Sequence, residues 1–101
     1  MNSIERRVKE LVGNRRYDVI VAIITSEEKL PDKEKERHYC RMYEQEILTC
    51  KHPTLYHDTE RGMEFVFAGR DDLENDEEYF EKFLMACKDA QYVEVFGIKV
   101  R

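Results

Sequence analysis

YDVIVAIIT, Tyr17–Thr25, is the stretch on which the fold turns. Apolar residues run without a break from Val19 to Ile24, and three of the first four are β-branched. A strand that is apolar at every position has both of its faces covered, at least in part. A helix can also bury such a run, but the β-branched density and the flanking Asp18 and Ser26 favour a strand. We read it as a central strand of a sheet.

Upstream, residues 2–13 read as a helix. Ile4, Val8, Leu11 and Val12 recur at i, i+4, i+7 and i+8, one apolar stripe of a 3.6-residue period. Asn2 with Glu5 makes the N-terminal cap, and Gly13-Asn14 ends the helix. Arg6, Arg7 and Lys9 lie off the stripe, with Arg15 and Arg16 just beyond, and read as a solvated face with cations near a helix C-terminus.

Downstream, SEEKLPDKEKER (26–37) is polar. Pro31 suits a first helical turn, and the acidic residues after it suit the N-terminal dipole. Tyr39, Tyr43, Ile47 and Cys50 then share one side, so the spacing predicts a helix over about 32–51, stopped by His52-Pro53. A strand over 38–50 would put Glu44 and Glu46 on the same face as Cys40, Met42 and Leu48, which is poor alternation.

Residues 54–58 and 62–68 read as two strands joined by the short turn Thr59-Glu60-Arg61-Gly62. Met63, Phe65 and Phe67 alternate with Glu64, Val66 and Ala68, so one face is strongly aromatic. Gly69 to Asp76 reads as a loop. Asn75 with Glu78 resembles a capping box opening a helix to about Asp89, with Tyr79, Phe80, Phe83, Leu84, Cys87 and Ala90 as its buried stripe. A last strand covers 92–100, with Val93 and Val95 on one face and Phe96, Ile98 and Val100 on the other.

Without the first helix the order is β-α-β-β-α-β. That order resembles the ferredoxin-like split βαβ arrangement, an α+β fold with an antiparallel sheet and two helices on one face. Its first and third strands lie in the middle, in agreement with the apolar density of 19–24 and 63–68. The expectation is a single α+β domain over 1–101, with helix 2–13 as an extension. The second sheet face is expected to be open. Either the N-terminal helix lies across it, or Phe65 and Phe67 make it an interface, which leaves room for a homodimer.

The 101 residues are enough for one modest core, and two prolines and four glycines leave little room for linkers. The longest apolar run is far short of the ~18 residues of a membrane span, so a soluble cytoplasmic protein with no membrane partner is expected. Cys40, Cys50 and Cys87 are odd in number without CxxC spacing, and read as reduced thiols. The net charge is −5, and it is unevenly placed: residues 1–56 hold 11 basic and 10 acidic side chains, residues 57–101 hold 6 and 12. An acidic second half speaks against direct DNA binding, which needs clustered Lys and Arg, and suits a basic protein partner.

No nucleophile elbow, acid–base pair or Gly-rich phosphate loop is present, so no catalytic residue is assigned. In Tyr56-His57-Asp58, strand alternation places His57 opposite the other two. No cofactor or metal is expected. Cys50, His52 and His57, with Cys40 or His38, are residue types that zinc takes, but Cys50 and His52 flank Lys51 at a helix end, a poor start for a tetrahedron.

RGMEFVFA (61–68) partly matches the RNA-recognition-motif signature: Arg61, Gly62, Phe65 and Val66 agree, whereas Met63, Glu64 and Ala68 do not. A single-stranded RNA binder using Phe65 and Phe67 is therefore one alternative function. A small enzyme on a dimeric form of the scaffold is another. The leading candidate site is the run Asp71, Asp72, Glu74, Asp76, Glu77 and Glu78, six carboxylates in eight residues. Such a run compensates a helix dipole, can hold a hard cation in other registers, or imitates nucleic-acid phosphates toward a basic channel.

MNSIERRVKELVGNRRYDVIV, a helix running straight into a strand, together with the acidic run RDDLENDEEYF, resembles in overall type the small acidic inhibitors encoded by phages and other mobile elements, anti-CRISPR proteins among them. That resemblance implies a non-enzymatic protein that blocks a nucleic-acid-handling partner through its acidic surface.

Overall fold

The computed structural model describes residues 3–25, 37–38, 41, 44–45, 54–58, 63–88 and 92–99, with the backbone alone described for 54–58 and Met63. The elements in chain order are α1 (Ser3–Gly13), β1 (Val19–Thr25), β2 (Thr54–Asp58), β3 (Met63–Gly69), α2 (Arg70–Asn75), α3 (Glu77–Cys87) and β4 (Tyr92–Ile98). Arg37, His38, Arg41, Glu44 and Gln45 are helical, and the rest of the helix predicted over 32–51 lies outside the described residues. So do the Asn2 cap, Ala90, Cys40, Cys50 and His52.

The four strands form one antiparallel sheet in the order β2-β3-β1-β4. β1 is central, and all seven of its residues are buried. Its pairing register, Val19 opposite Gly69 and Ile98, Ala22 opposite Val66 and Val95, places alternate side chains on opposite faces. One face carries Ile20, Ala22, Ile24, Val66, Ala68 and Val95, which join Val8 and Leu11 of α1, Leu73 of α2 and Tyr79, Phe83 and Cys87 of α3 in one core. Ile4, Val12, Phe80 and Leu84 pack around its margin. The apolar stripes predicted for α1 and α3 are the faces they bury.

Three expectations are corrected. The N-terminal helix does not cross the second sheet face; it packs on the same side as α3, where its apolar stripe buries Val8 and Leu11 in the core that also holds Ile20, Ala22 and Val95. The second face is not open either, since Val21, Ile23 and Phe67 are 0% exposed and Phe65 is 1% exposed. Residues 70–75 are a helix, where a loop is expected from the sequence. Leu73 anchors this short turn in the core, Arg70 and Glu74 pair across it, and Asp71 and Asp72 in its first turn suit the dipole.

Local chemistry sets the junctions. Asn14 ends α1: its N–H donates to the Leu11 carbonyl (3.1 Å) and its Oδ1 accepts from the Arg16 N–H (3.1 Å). The cap of α3 is Asp76, one residue beyond the predicted Asn75, and its Oδ1 accepts from the Tyr79 N–H at 3.1 Å. Gly97 of β4 lies beneath the Tyr17 ring, and a Cβ there would overlap the ring. Arg7 Nε donates to the Val95 carbonyl at 3.3 Å, tying α1 to edge strand β4.

Candidate functional site

The acidic run spans α2, the cap and the first turn of α3, and its six carboxylates do not share one role. Arg70 sits at the head of α2 with its side chain 12% exposed. Its Nε donates to the Tyr17 carbonyl (2.8 Å), Nη1 to Glu74 Oε2 (2.8 Å) and Nη2 to Asp71 Oδ1 (2.6 Å). Arg15 Nη2 reaches the other Glu74 oxygen at 3.3 Å. Asp76 is held by the helix cap, and Glu78 faces Lys82 at 3.9 Å. Asp72 and Glu77 form no ion pair among the described residues.

Three of the six, Glu74, Glu77 and Glu78, turn toward α1 and line a groove of about 620 Å³ between that helix and α2–α3. Glu81 extends the row, one turn beyond Glu77 and Glu78. Across the groove stand Glu5, Lys9 and Val12 of α1, and Leu73 and Phe80 complete its apolar floor. Among the described residues the lining thus holds five carboxylates and one ammonium, and of the five only Glu77 and Glu81 form no ion pair. Lys9 Nζ pairs with Glu5 Oε1 at 3.5 Å and stands 6.0 Å from the centre of the Phe80 ring, at the outer reach of a cation–π contact.

Carboxylates three and four residues apart on one helix face repel by a few tenths of a kcal/mol per pair, and Glu77 with Glu81 is such a pair. The groove therefore combines a negative wall with apolar surface at its base. That combination fits a cationic, amphipathic segment better than an anion or a neutral solute.

Asp71, Asp72 and Asp76 lie outside this lining. Phe65 and Phe67 are core residues, their rings stacked 6.1 Å apart at an interplanar angle of 24°. Buried rings offer no face to a base, so the pair is not the exposed platform that RNA stacking or an aromatic interface requires. The zinc-type residues Cys40, Cys50 and His52 lie outside the described residues, His57 is described by its backbone alone, and no metal-holding group of three His, Cys, Asp or Glu occurs among the described residues. Cys87 is buried in the core, and desolvation pushes its thiol up to about 11.

Sequence reasoning reached the α2–α3 side of the groove and missed the rest. Glu81 carries a local signal, since it continues the Glu74, Glu77, Glu78 row at helical spacing. Glu5, Lys9 and Val12 carry none, because only the packing of α1 against α2, on the sheet face that α3 also covers, brings them there. No helix among the described residues is long and apolar enough to cross a membrane. No family model, curated protein or solved structure matches the chain.

Proposed function

We propose that this chain is a non-enzymatic protein-binding module that seats a basic segment of a nucleic-acid-handling protein in the α1–α3 groove and so blocks that partner. The observation that carries the proposal is the groove itself: among the described residues, Glu77 and Glu81, which form no ion pair, stand with the paired Glu5, Glu74 and Glu78 over a floor of Val12, Leu73 and Phe80, with Lys9 opposite. Polypeptides that grip nucleic acid carry clustered Lys and Arg, and a negative groove competes for them through the charge pairing that phosphate uses. The apolar floor adds a contact that phosphate lacks, and with it selectivity. On this proposal the chain is of the small phage-inhibitor type, anti-CRISPR-like, acting in the cytoplasm. Strand order β2-β3-β1-β4, antiparallel throughout, supports a ferredoxin-like arrangement with α1 added to the helical face.

The test is a titration of a labelled Lys/Arg-rich peptide by fluorescence anisotropy across a salt series. Affinity should fall steeply between about 0.1 and 1 M salt as the screening length shrinks from about 10 to about 3 Å. Reversing Glu77 and Glu81 together to Lys should weaken binding about tenfold or more, at under 1 kcal/mol per exposed charge pair formed or lost, while stability falls by no more than about 1 kcal/mol for a cation in the first turn of α3. Affinity that ignores both salt and the reversal would remove the acidic mechanism.

A further inference from the structure

We infer that the groove contains a distinct cation seat on the Phe80 ring, occupied in the free protein by its own Lys9, and that an arginine of the partner takes this seat by displacing Lys9. The inference rests on the groove-binding proposal above and names the residue type that the groove selects. Lys9 is the one cation in the lining among the described residues, and its ammonium already stands over an aromatic face with Glu5 beside it, the elements of a site for a positively charged group.

Its hold is loose. The ring distance of 6.0 Å is at the limit of the interaction, the ion pair with Glu5 is 3.5 Å, and the Lys9 side chain is 50% exposed. A lysine held this way swings out to water at small cost, because a half-exposed i,i+4 pair on a helix contributes little. A guanidinium fits the vacated place better than an ammonium. It is planar and stacks on a ring face, it sheds water more readily, and its fork can engage two carboxylate oxygens at once. Glu5, Glu77 and Glu81 line the same groove and can supply those oxygens. Lys9 then acts as an internal competitor that excludes weakly held lysines while yielding to arginine.

The experiment compares a short synthetic peptide of alternating arginine and leucine with its lysine counterpart, by isothermal titration against the whole chain. The arginine peptide should bind about three- to tenfold tighter than the lysine peptide, the range that a cation–π contact supplies. Lys9→Met, which keeps the stem and removes the competitor, should tighten the arginine peptide by a similar factor. Phe80→Leu should bring the arginine-to-lysine ratio close to one while both peptides still bind, and Phe80→Tyr should retain the preference. If Phe80→Leu does not fold, Lys9→Met and Phe80→Tyr carry the test. Equal affinity for the two peptides, unmoved by Lys9→Met, overturns the arginine seat and leaves the groove proposal standing. If neither peptide binds the wild-type chain or Lys9→Met, the groove proposal itself falls.

Discussion

Arg70→Met is the most informative single change, because stability and binding should move in opposite directions. The Arg70 side chain is 12% exposed, and its guanidinium touches three acceptors: the Tyr17 carbonyl at 2.8 Å, Glu74 at 2.8 Å and Asp71 at 2.6 Å. A hydrogen bond from a charged donor to a part-buried carbonyl contributes about 1.5–3 kcal/mol. Asp71 is 77% exposed, so that pair adds close to nothing, while Glu74, at 35%, adds at most about 1 kcal/mol. Met retains most of the apolar stem, and the expected loss is about 2–4 kcal/mol. Urea unfolding should show the midpoint falling by about 1–2 M with an unchanged slope. A cycle with Glu74→Gln should return a coupling of about 0.5–1 kcal/mol. The same variant removes one of the two arginines that hold Glu74, the lining carboxylate among Arg70's partners, so a basic peptide should bind more tightly. A loss below about 1 kcal/mol would refute the view that Arg70 ties α2 to the β1 entry, and unchanged peptide affinity would refute its neutralising role.

The remaining predictions concern the frame that holds the groove. Asp76→Ala removes the cap of α3 and should cost about 1 kcal/mol in chemical denaturation, with Asp76→Asn keeping most of it. Gly97→Ala forces a methyl group into the Tyr17 ring and should cost about 1–3 kcal/mol, less when Tyr17 is also truncated; equal costs in both backgrounds would exclude the clash. Cys87 is an acid whose folded pKa is raised from 9.0 to about 11, so the folded state holds its proton more tightly. Its stabilisation is complete below pH 9 and declines as pH rises toward about 11, by about 2–3 kcal/mol. Denaturation curves of the wild type and Cys87→Ala across that interval should differ by this slope, and parallel curves would show the thiol to be solvated.

Residue patterns alone determined α1, the four strands and α3, and their order. The β-branched run of 19–24, the alternation of 63–68 and the stripe Tyr79, Phe83, Cys87 each report a period set by local backbone geometry. They made β1 a central strand and identified the buried faces of α1 and α3, and the middle place of β3 came from the resemblance to the ferredoxin-like order. Tertiary structure alone decided three things. Helix α2 is too short to announce itself, and it exists because Leu73 is buried and Arg70 has partners to bind. An apolar stripe states that a helix must be covered without stating by what, so only the tertiary structure decided that α1 buries Val8 and Leu11 in the core shared with Ile20, Ala22 and Val95. The groove followed from that choice, since charge repeats along one chain segment are visible in sequence, whereas the meeting of Glu5 and Lys9 with Phe80 and Glu81 is a consequence of which helices pack side by side.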